Sequence, residues 1–521
     1  MVPDNKKVLR KSKKGVPLLF FLGLSFFFTS YSMYGFNLWD EGALLNGGLR
    51  VLDGDMPIRD FNGYPPGRYF LASLVFLFFG EEIFPLRATV ASLTALSVLL
   101  LYSSAKQVMS RPFALLSSFL YMVAPSVYYN RFFPIFLISG MYFLFRLVDG
   151  RGAGRIFSFT LSTLLALLFK FEIAVITYAT GALILLLDKR KARLGVIVTG
   201  GVVGGAVALY AGKGYFLDFT TLLFQTYENW GTPFPLLQVQ MTVRDAFLEV
   251  GFFDISLFYL PLFIYLLSAL YLTRMVLKGG CTFQPKELKI LTVLVFGLLS
   301  YGLVIWRAGF DNLVRVLPPA VFLGCFLSSV LYENAKCFFR VQGLSLSLVA
   351  LFPLWYGYQM IWNHGFYSGS IGALKKEKSF LPFERARVYT NNVEKTWAVE
   401  VVSFLKKNTG PGDFVFAVPL NSVWNFLADR KNPTSYEWII PSTMRNTNVE
   451  QEVIKELKEF PPKYIILSDL AIDGREERRF SSYAREIYNF IIQGYRLRKE
   501  VGIFLIFERA NLKKEAERYR A

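Results

Sequence analysis

The chain has 521 residues, 53% hydrophobic and 18% charged, and its apolar runs repeatedly approach the about 20 residues needed to cross a bilayer, which excludes an ordinary soluble enzyme. A formal net charge of +18 would suggest nucleic acid in a soluble protein, but many Lys and Arg sit in short connectors between apolar runs. That is the pattern of topology and attraction to anionic lipid, and no nucleic-acid partner is expected.

The chain opens with "MVPDNKKVLRKSKKG" and then a long apolar run. No small-residue cleavage site follows, so this reads as a retained first helix with a cytoplasmic basic end. Candidate spans are 16–36, 87–105, 112–129, 132–148, 155–170, 172–188, 194–212, 252–274, 288–306, 313–332 and 341–362. The basic connectors "KQVMSR", "DGRGAGR", "DKRKAR", "KELK" and "NAKCFFR" belong inside, and "YENWGTPFPL" and "RAGFDN" outside. The apolar segment "YFLASLVFLFFG" after Arg68 is too short to cross and reads as an interfacial or re-entrant helix. With it left at the outer surface, eleven crossings keep every basic loop inside and place the region after 362 outside. The three Cys, at 281, 325 and 337, lie in or beside apolar runs without CxxC spacing, so neither a disulfide scaffold nor a zinc site is indicated.

Beyond 362 the character changes. "EKTWAVEVVSFLKKNTGPGDFVFAVPLNSVWNFLADRKNPTSY" reads as helix, turn, strand and helix, and "VEQEVIKELKEFPPKYIILSD" as helix, Pro turn and strand. "REIYNFIIQGYRLRKEVGIFLIFER" adds a helix and a hairpin-like pair. The expected organisation is a transmembrane module over 1–362 with an outer loop at 37–86, a linker at 363–380, and an extracytoplasmic α/β domain over 381–521. The fold class is a polytopic α-helical membrane protein with this C-terminal domain. Trp424, Tyr436 and Trp438 either fill the domain's core, the better fit, or line an acceptor groove.

Chemistry is expected where the first span ends, in "NLWDEGALLNGGLRVLDGDMPIRDFNGYPPGRYFL". Asp40 and Glu41 there either act as a general base with a helper, hold a divalent cation such as magnesium or manganese, or form a solvated loop. Trp39 suits an interfacial anchor, and Asp53, Asp55 and Asp60 alternate with Arg59 and Arg68 on a turn-rich stretch. Asp60 and Tyr64 are candidate substrate contacts. The double Pro fixes the backbone and orients Arg68 either toward lipid phosphate or as a snorkelling side chain.

The order of a first helix, "DEG", "GDMPIRDFNGYPPGRYFLASLVFLFFG" and an Arg opening the next helix resembles the N-terminal module of GT-C glycosyltransferases. The branch is that of protein O-mannosyltransferases and lipid A aminoarabinose transferases. The resemblance covers about residues 15 to 150, with Arg87 matching the Arg of the signature. It implies transfer, with inversion, of a sugar from a polyprenyl-phosphate carrier to a protein, lipid or glycan acceptor at the outer membrane face. Asp40 matches the family's base. Direct displacement needs one carboxylate on the acceptor side, and the leaving phosphate needs positive charge more than an acid. Lys170 in "LLALLFKFEIAV" matches a Lys of related sequences and is costly between apolar runs unless paired, with Glu172 at hand; otherwise it is a loop charge. "WRAGFDNLVRVLPPA" brings Arg307, Asp311 and Arg315, of which Arg315 is the further candidate for the donor phosphate, beside Arg68, Arg87 and Lys170. Where related enzymes carry a Pro-Asp-like acid, this chain has Asn130 and Arg131, which leaves a cation at Asp40 and Glu41 an open question. The sole His, His364, suits an interfacial structural role.

Two other classes compete. A multi-span transporter or lipid flippase is one, but no inverted repeat is visible and the charges gather at one membrane face. A non-catalytic sensor with an outer domain is the other, against which the carboxylate cluster speaks. The glycines of "GVIVTGGVVGGAVALYAGKGY" lie within an apolar run and serve helix packing rather than a phosphate loop.

Overall fold

A computed structural model of the chain describes residues 19–30, 32–124, 131–150, 152–187, 197–205, 252–279, 282–306, 310–335, 352–360, 378–441, 443–445, 448–472 and 475–510. The expectations for Cys281, Cys337, Asn130, Arg307, His364 and "YENWGTPFPL" lie outside these residues, as do parts of the spans at 194–212 and 341–362 and most of the linker. The described residues form two compact units: a helical unit, up to Ser32 and from Arg87 to residue 360, and a mixed unit, from Met33 to Leu86 and from 378 to 510.

The helices begin with α1 (Leu19–Ser30), α2 (Asp40–Leu52), α3 (Pro66–Phe79), α4 (Ile83–Ala105), α5 (Arg111–Val123), α6 (Phe132–Val148), α7 (Ala153–Phe169) and α8 (Phe171–Leu187). They continue as α9 (Phe252–Lys278), α10 (Pro285–Trp306), α11 (Phe310–Val316) and α12 (Pro318–Ala335). Among the described residues, three helices are long and apolar enough to cross a membrane: Ile83–Ala105, Ser256–Lys278 and Pro285–Ile305. The expected span at 313–332 is corrected to two helices, α11 and α12. Pro318 has no N–H to continue the ladder of α11, yet its fixed φ suits the first position of a new helix.

In the helical unit several polar groups pair across apolar helices. Ser97 Oγ meets Tyr121 Oη at 3.0 Å between α4 and α5, and Thr160 meets Thr199 at 2.8 Å. Lys289 on α10, buried, donates to Gln107 at 2.7 Å and pairs with Asp149. These three residues come from "KQVMSR", "DGRGAGR" and "KELK", so three basic connectors lie at one end of this unit.

The mixed unit holds a four-stranded sheet in the order β3-β4-β6-β5. After the small pair β1 (Ser379–Phe380) and β2 (Tyr389–Thr390), α13 (Asn392–Asn408) is capped by the Asn391 side chain, which accepts from the Glu394 N–H. The Gly-Pro-Gly turn at 410–412 leads into β3 (Val415–Val418), and α14 (Val423–Ala428) follows. Next come α15 (Val449–Glu459), β4 (Tyr464–Leu467), α16 (Phe480–Tyr483) and α17 (Arg485–Gly494). The hairpin β5 (Tyr495–Val501) and β6 (Phe504–Arg509) ends the described chain, turning at Gly502 with φ 56°.

β3 runs parallel to β4, with Val415 opposite Tyr464, and β6 runs antiparallel to both β4 and β5. Phe416, Val418, Ile465 and Leu467 join Val453 and Leu457 of α15 and Ile487 and Ile491 of α17 in one core. Each such side chain contributes about 1.5–3 kcal/mol through burial. On α13, Phe404 packs edge-on to Tyr464 and Trp397 to Phe504.

Residues distant in sequence complete this unit. Met33 and Gly35 hydrogen-bond the backbone of Tyr389, Asn62 bridges Ser435 and Glu437, and the Ile83 N–H reaches Arg385, whose guanidinium pairs with Glu81 and Asp429. Trp39, expected as an interfacial anchor, packs on Phe504 at 5.9 Å. The segment 37–86 therefore clusters with 378–510.

Candidate functional site

The head of α2 is set by Asn37, whose Oδ1 accepts the N–H groups of Trp39 and Asp40 at 2.8 and 2.9 Å. Asp40 is the first helical residue, where the exposed N–H groups of the first turn favour a carboxylate. One helical step on, Glu41 turns inward and is 4% exposed, whereas Asp40 stays half-buried. The two expected carboxylates thus face different surroundings, and Asp40 is the accessible one.

The glycines of "DEGALLNGGL" explain how α2 gets so close to its neighbours. A Cβ on Gly42 would lie 2.2 Å from the Val423 nitrogen at the start of α14, and one on Gly47 would lie 2.2 Å from the Tyr69 ring of α3. Further along, the Asn46 amide donates to both oxygens of Glu437, at 3.1 and 2.9 Å. Arg50 adds bonds to Glu437 at 3.1 Å, Asp55 at 2.8 Å and the Thr434 carbonyl at 2.9 Å, and stands over the Phe61 ring. Burial would lower the Arg50 pKa, but Glu437 and Asp55 outweigh it and hold the guanidinium above its ordinary value. Glu437, fully buried, is therefore the residue that orients α2 from the far end of the chain. Its context "TSYEWII" carries no motif, and the sequence offers no signal for this role.

α3 starts at the second Pro of the pair, as a Pro at the first helical position should. Its 14 residues reach about 21 Å, short of a bilayer core. Tyr69, Ala72 and Phe76 face inward, while Phe70, Leu74, Leu77 and Phe78 form an exposed apolar stripe of the kind that rests in a membrane interface. Arg68, on the first turn, is 3% exposed and lies 4.6 Å over the Tyr64 ring. Tyr64 Oη is 3.5 Å from the Asp40 carbonyl oxygen, and its ring meets Trp438 edge-on at 4.4 Å. Asp40, Tyr64 and Arg68 are thus brought together. Asp60 goes elsewhere: it pairs with Arg59 at 2.5 Å, which holds its carboxyl below the usual range, and lines a separate cavity. Trp424 is fully buried and Tyr436 belongs to the core, whereas Trp438 is half-buried beside Tyr64.

The remaining candidates belong to the helical unit. Arg87, 3% exposed, donates to the Ser32 carbonyl at 2.8 Å. Lys170 ends α7 and pairs with Glu172 at 2.7 Å, the partner its apolar surroundings demand. Arg315 lies in the last turn of α11. Arg131, in the sequence only a departure from the family pattern, is 4% exposed and stands 5.5 Å from the Phe28 ring. α4 runs from Arg87 toward Gln107, α6 from Arg131 toward Asp149, and α7 back to Lys170, where Phe169 packs on Phe132 at 5.1 Å. α10 leaves Lys289 and is followed by α11. Chain direction therefore gathers Arg87, Arg131, Lys170 and Arg315 at the end of this unit opposite Lys289.

Among the described residues no three His, Cys, Asp or Glu side chains cluster as metal ligands. A magnesium or manganese ion at Asp40 and Glu41 would take most of its six oxygens from water or substrate, and the inward turn of Glu41 opposes a shared ion.

The chain has the GT-C glycosyltransferase fold, a helical membrane architecture with a small C-terminal sheet domain. It is similar to the aminoarabinose transferase ArnT from Cupriavidus metallidurans in the apo state, at 12% identity over 95% of this chain and 98% of that one, with a TM-score of 0.55. The same protein bound to undecaprenyl phosphate gives 11% identity over 95% and 98% of the two chains and a TM-score of 0.52. The archaeal oligosaccharyltransferase AglB from Archaeoglobus fulgidus, in complex with an inhibitory peptide and a dolichol-phosphate, gives 11% identity over 94% of this chain and 74% of that one at a TM-score of 0.49. No protein-family model and no curated protein sequence matches the chain.

Proposed function

We propose that the protein is an integral membrane glycosyltransferase that moves a sugar from a polyprenyl-phosphate donor to an acceptor hydroxyl, with inversion, at the extracytoplasmic face. The observation that carries this reading is the accessible carboxylate of Asp40 at the head of α2, with Tyr64 against its backbone and Arg68 over Tyr64. The fold shared with ArnT, seen bound to undecaprenyl phosphate, supports it.

In the proposed step Asp40 takes the proton of the acceptor hydroxyl as its oxygen attacks the anomeric carbon. The bond from that carbon to the phosphate oxygen breaks on the opposite face, and its electron pair leaves with the phosphate. The protonated Asp40 then returns its proton to water. Charge on the departing phosphate grows from about one to two units near neutral pH, so fixed cations lower the barrier more than a proton donor would. Arg68 in the mixed unit, and Arg87, Lys170 and Arg315 at the end of the helical unit opposite Lys289, are assigned to that charge. Tyr64 is assigned to substrate, while Asp60 turns to a separate cavity, and Glu41, buried, is assigned to holding the head of α2. No step is assigned to a cation. The acceptor is a glycan, lipid or protein hydroxyl.

Transfer of radiolabel from a polyprenyl-phosphate sugar, measured with the purified protein in liposomes, tests the reading. Asp40→Asn is expected to lose about 10²–10⁴ of the rate while melting as the wild type does. Undiminished transfer by the mutant removes Asp40 from the mechanism. Movement of solute without a glycosidic product supports a transporter instead.

A further inference from the structure

The mixed unit contains a cavity of about 480 Å³ between the C-terminal half of α2, the turn that carries Asp60, and the segment around α14 and residues 429–435. This is within the range of small-molecule sites, about 300–1,000 Å³. It is distinct from the cluster of Asp40, Tyr64 and Arg68, none of which lines it.

Its chemistry is specific. The carboxylates Asp53, Asp55, Asp60, Asp429 and Glu456 face the cations Arg50, Arg430 and Lys431. Acids therefore exceed bases, which opposes a phosphate or any other anion. The carboxylates are also already satisfied. Asp53 pairs with Lys431 at 3.5 Å, Asp55 with Arg50 at 2.8 Å, Asp60 with Arg59 at 2.5 Å and Asp429 with Arg385 at 3.0 Å, while Glu456 accepts the Ser435 N–H at 3.1 Å. Four of the five are thus already matched by a cation, which leaves a bound cation little to gain.

Phe414 and Phe460, in ring contact at 5.5 Å, supply apolar faces. Asn425, 1% exposed, also lines the cavity. Its Nδ2 is used by the carbonyls of Val415 and Arg430 at 2.8 and 3.3 Å, but its Oδ1 has no hydrogen-bond partner. Uncharged hydroxyls that both donate and accept, on a ring with apolar faces, suit a lining of paired charges and aromatic rings.

We infer that this cavity is a binding site for a neutral saccharide unit. That the unit belongs to a glycan acceptor or product rests on the transferase reading; the binding site does not.

Calorimetry and saturation-transfer NMR on the full-length protein in nanodiscs test this with methyl α-mannopyranoside, methyl β-galactopyranoside, methyl α-arabinofuranoside and maltose as probes, and inorganic phosphate as competitor. At least one saccharide is expected to bind saturably and to be undisturbed by phosphate. Phe460 is exposed enough to be changed without unfolding the domain. Phe460→Ala is expected to weaken binding about tenfold, and Phe460→Tyr to leave it within about twofold. No binding by any probe, binding indifferent to Phe460→Ala, or displacement by phosphate each overturns the site. Binding retained by Asp40→Asn supports a site separate from the reacting carboxylate; binding abolished by that change overturns the separation. Sugar transfer without saccharide binding sinks this inference alone, and binding without transfer sinks the transferase reading alone.

Discussion

In the mixed unit Glu437 reaches Asn46 across 391 residues of sequence and Arg50 across 387, whereas in the helical unit Lys170 finds Glu172 two residues on. The first arrangement exists only when α2 has docked on the C-terminal domain, and it fixes the helix that begins with Asp40. The second is made by neighbours on the chain at the junction of α7 and α8, and its position is set by where the apolar helices end. One unit positions by buried, mutually satisfied polar groups; the other concentrates charge by stacking helix ends. The roles proposed follow the same division: precise orientation for the base, a field of positive charge for the phosphate.

Substitutions that remove one device and spare the other test that division. The largest contrast is Asp40→Asn, with its loss of about 10²–10⁴ in transfer and unchanged melting, against Glu437→Ala. Removing Glu437 breaks a buried pair, and because Arg50 keeps Asp55 the cost falls at the low end of the usual range, about 3 kcal/mol. Thermal unfolding of the full-length protein, followed by tryptophan fluorescence, should show a clearly lowered Tm; an unaltered curve would mean that the long-range network carries no weight. Lys170→Met should come next, with about a 10²-fold loss in transfer and a smaller drop in Tm than Glu437→Ala, because the Glu172 left behind is only partly buried. A variant that binds and transfers normally would take Lys170 out of the phosphate role.

The smallest effect concerns pH. Burial, together with its hydrogen bond to Glu508, pushes the Tyr464 phenol up to about 12 from its ordinary value near 10. The folded state then holds this proton more tightly than the unfolded one, so the contribution is complete below pH 10 and fades as pH rises toward 12. Tyr464→Phe should flatten that decline in Tm, and an identical alkaline slope in both proteins would reject the assignment.

Local hydrophobicity was enough to locate most of the helices. The span read at 132–148 is α6, and those at 155–170 and 172–188 differ from α7 and α8 by one or two residues at each end. The span read at 313–332 is divided at Leu317, because apolar content continues through Pro318 while the hydrogen-bond ladder does not. In the candidate site Asp40, Glu41, Tyr64 and Arg68 stood out as charged or aromatic residues around a double Pro. Their division into an accessible Asp40 and an inward Glu41 did not, because it depends on which face of α2 is covered. Glu437 and the cavity near Asn425 were invisible, since nothing near either residue in sequence marks them.

What the sequence determined by itself was the apolar length of each segment, the charges at the segment ends and the turn chemistry of Pro65 and Pro66, all properties of neighbouring residues. Tertiary structure alone decided that the segment after Met33 folds with the far end of the chain, that α2 approaches α3 and α14 at its glycines, and that Asp60 faces a different cavity from Asp40. Those outcomes depend on satisfying buried polar groups and filling space between segments nearly four hundred residues apart, and no periodicity along the chain encodes such a pairing.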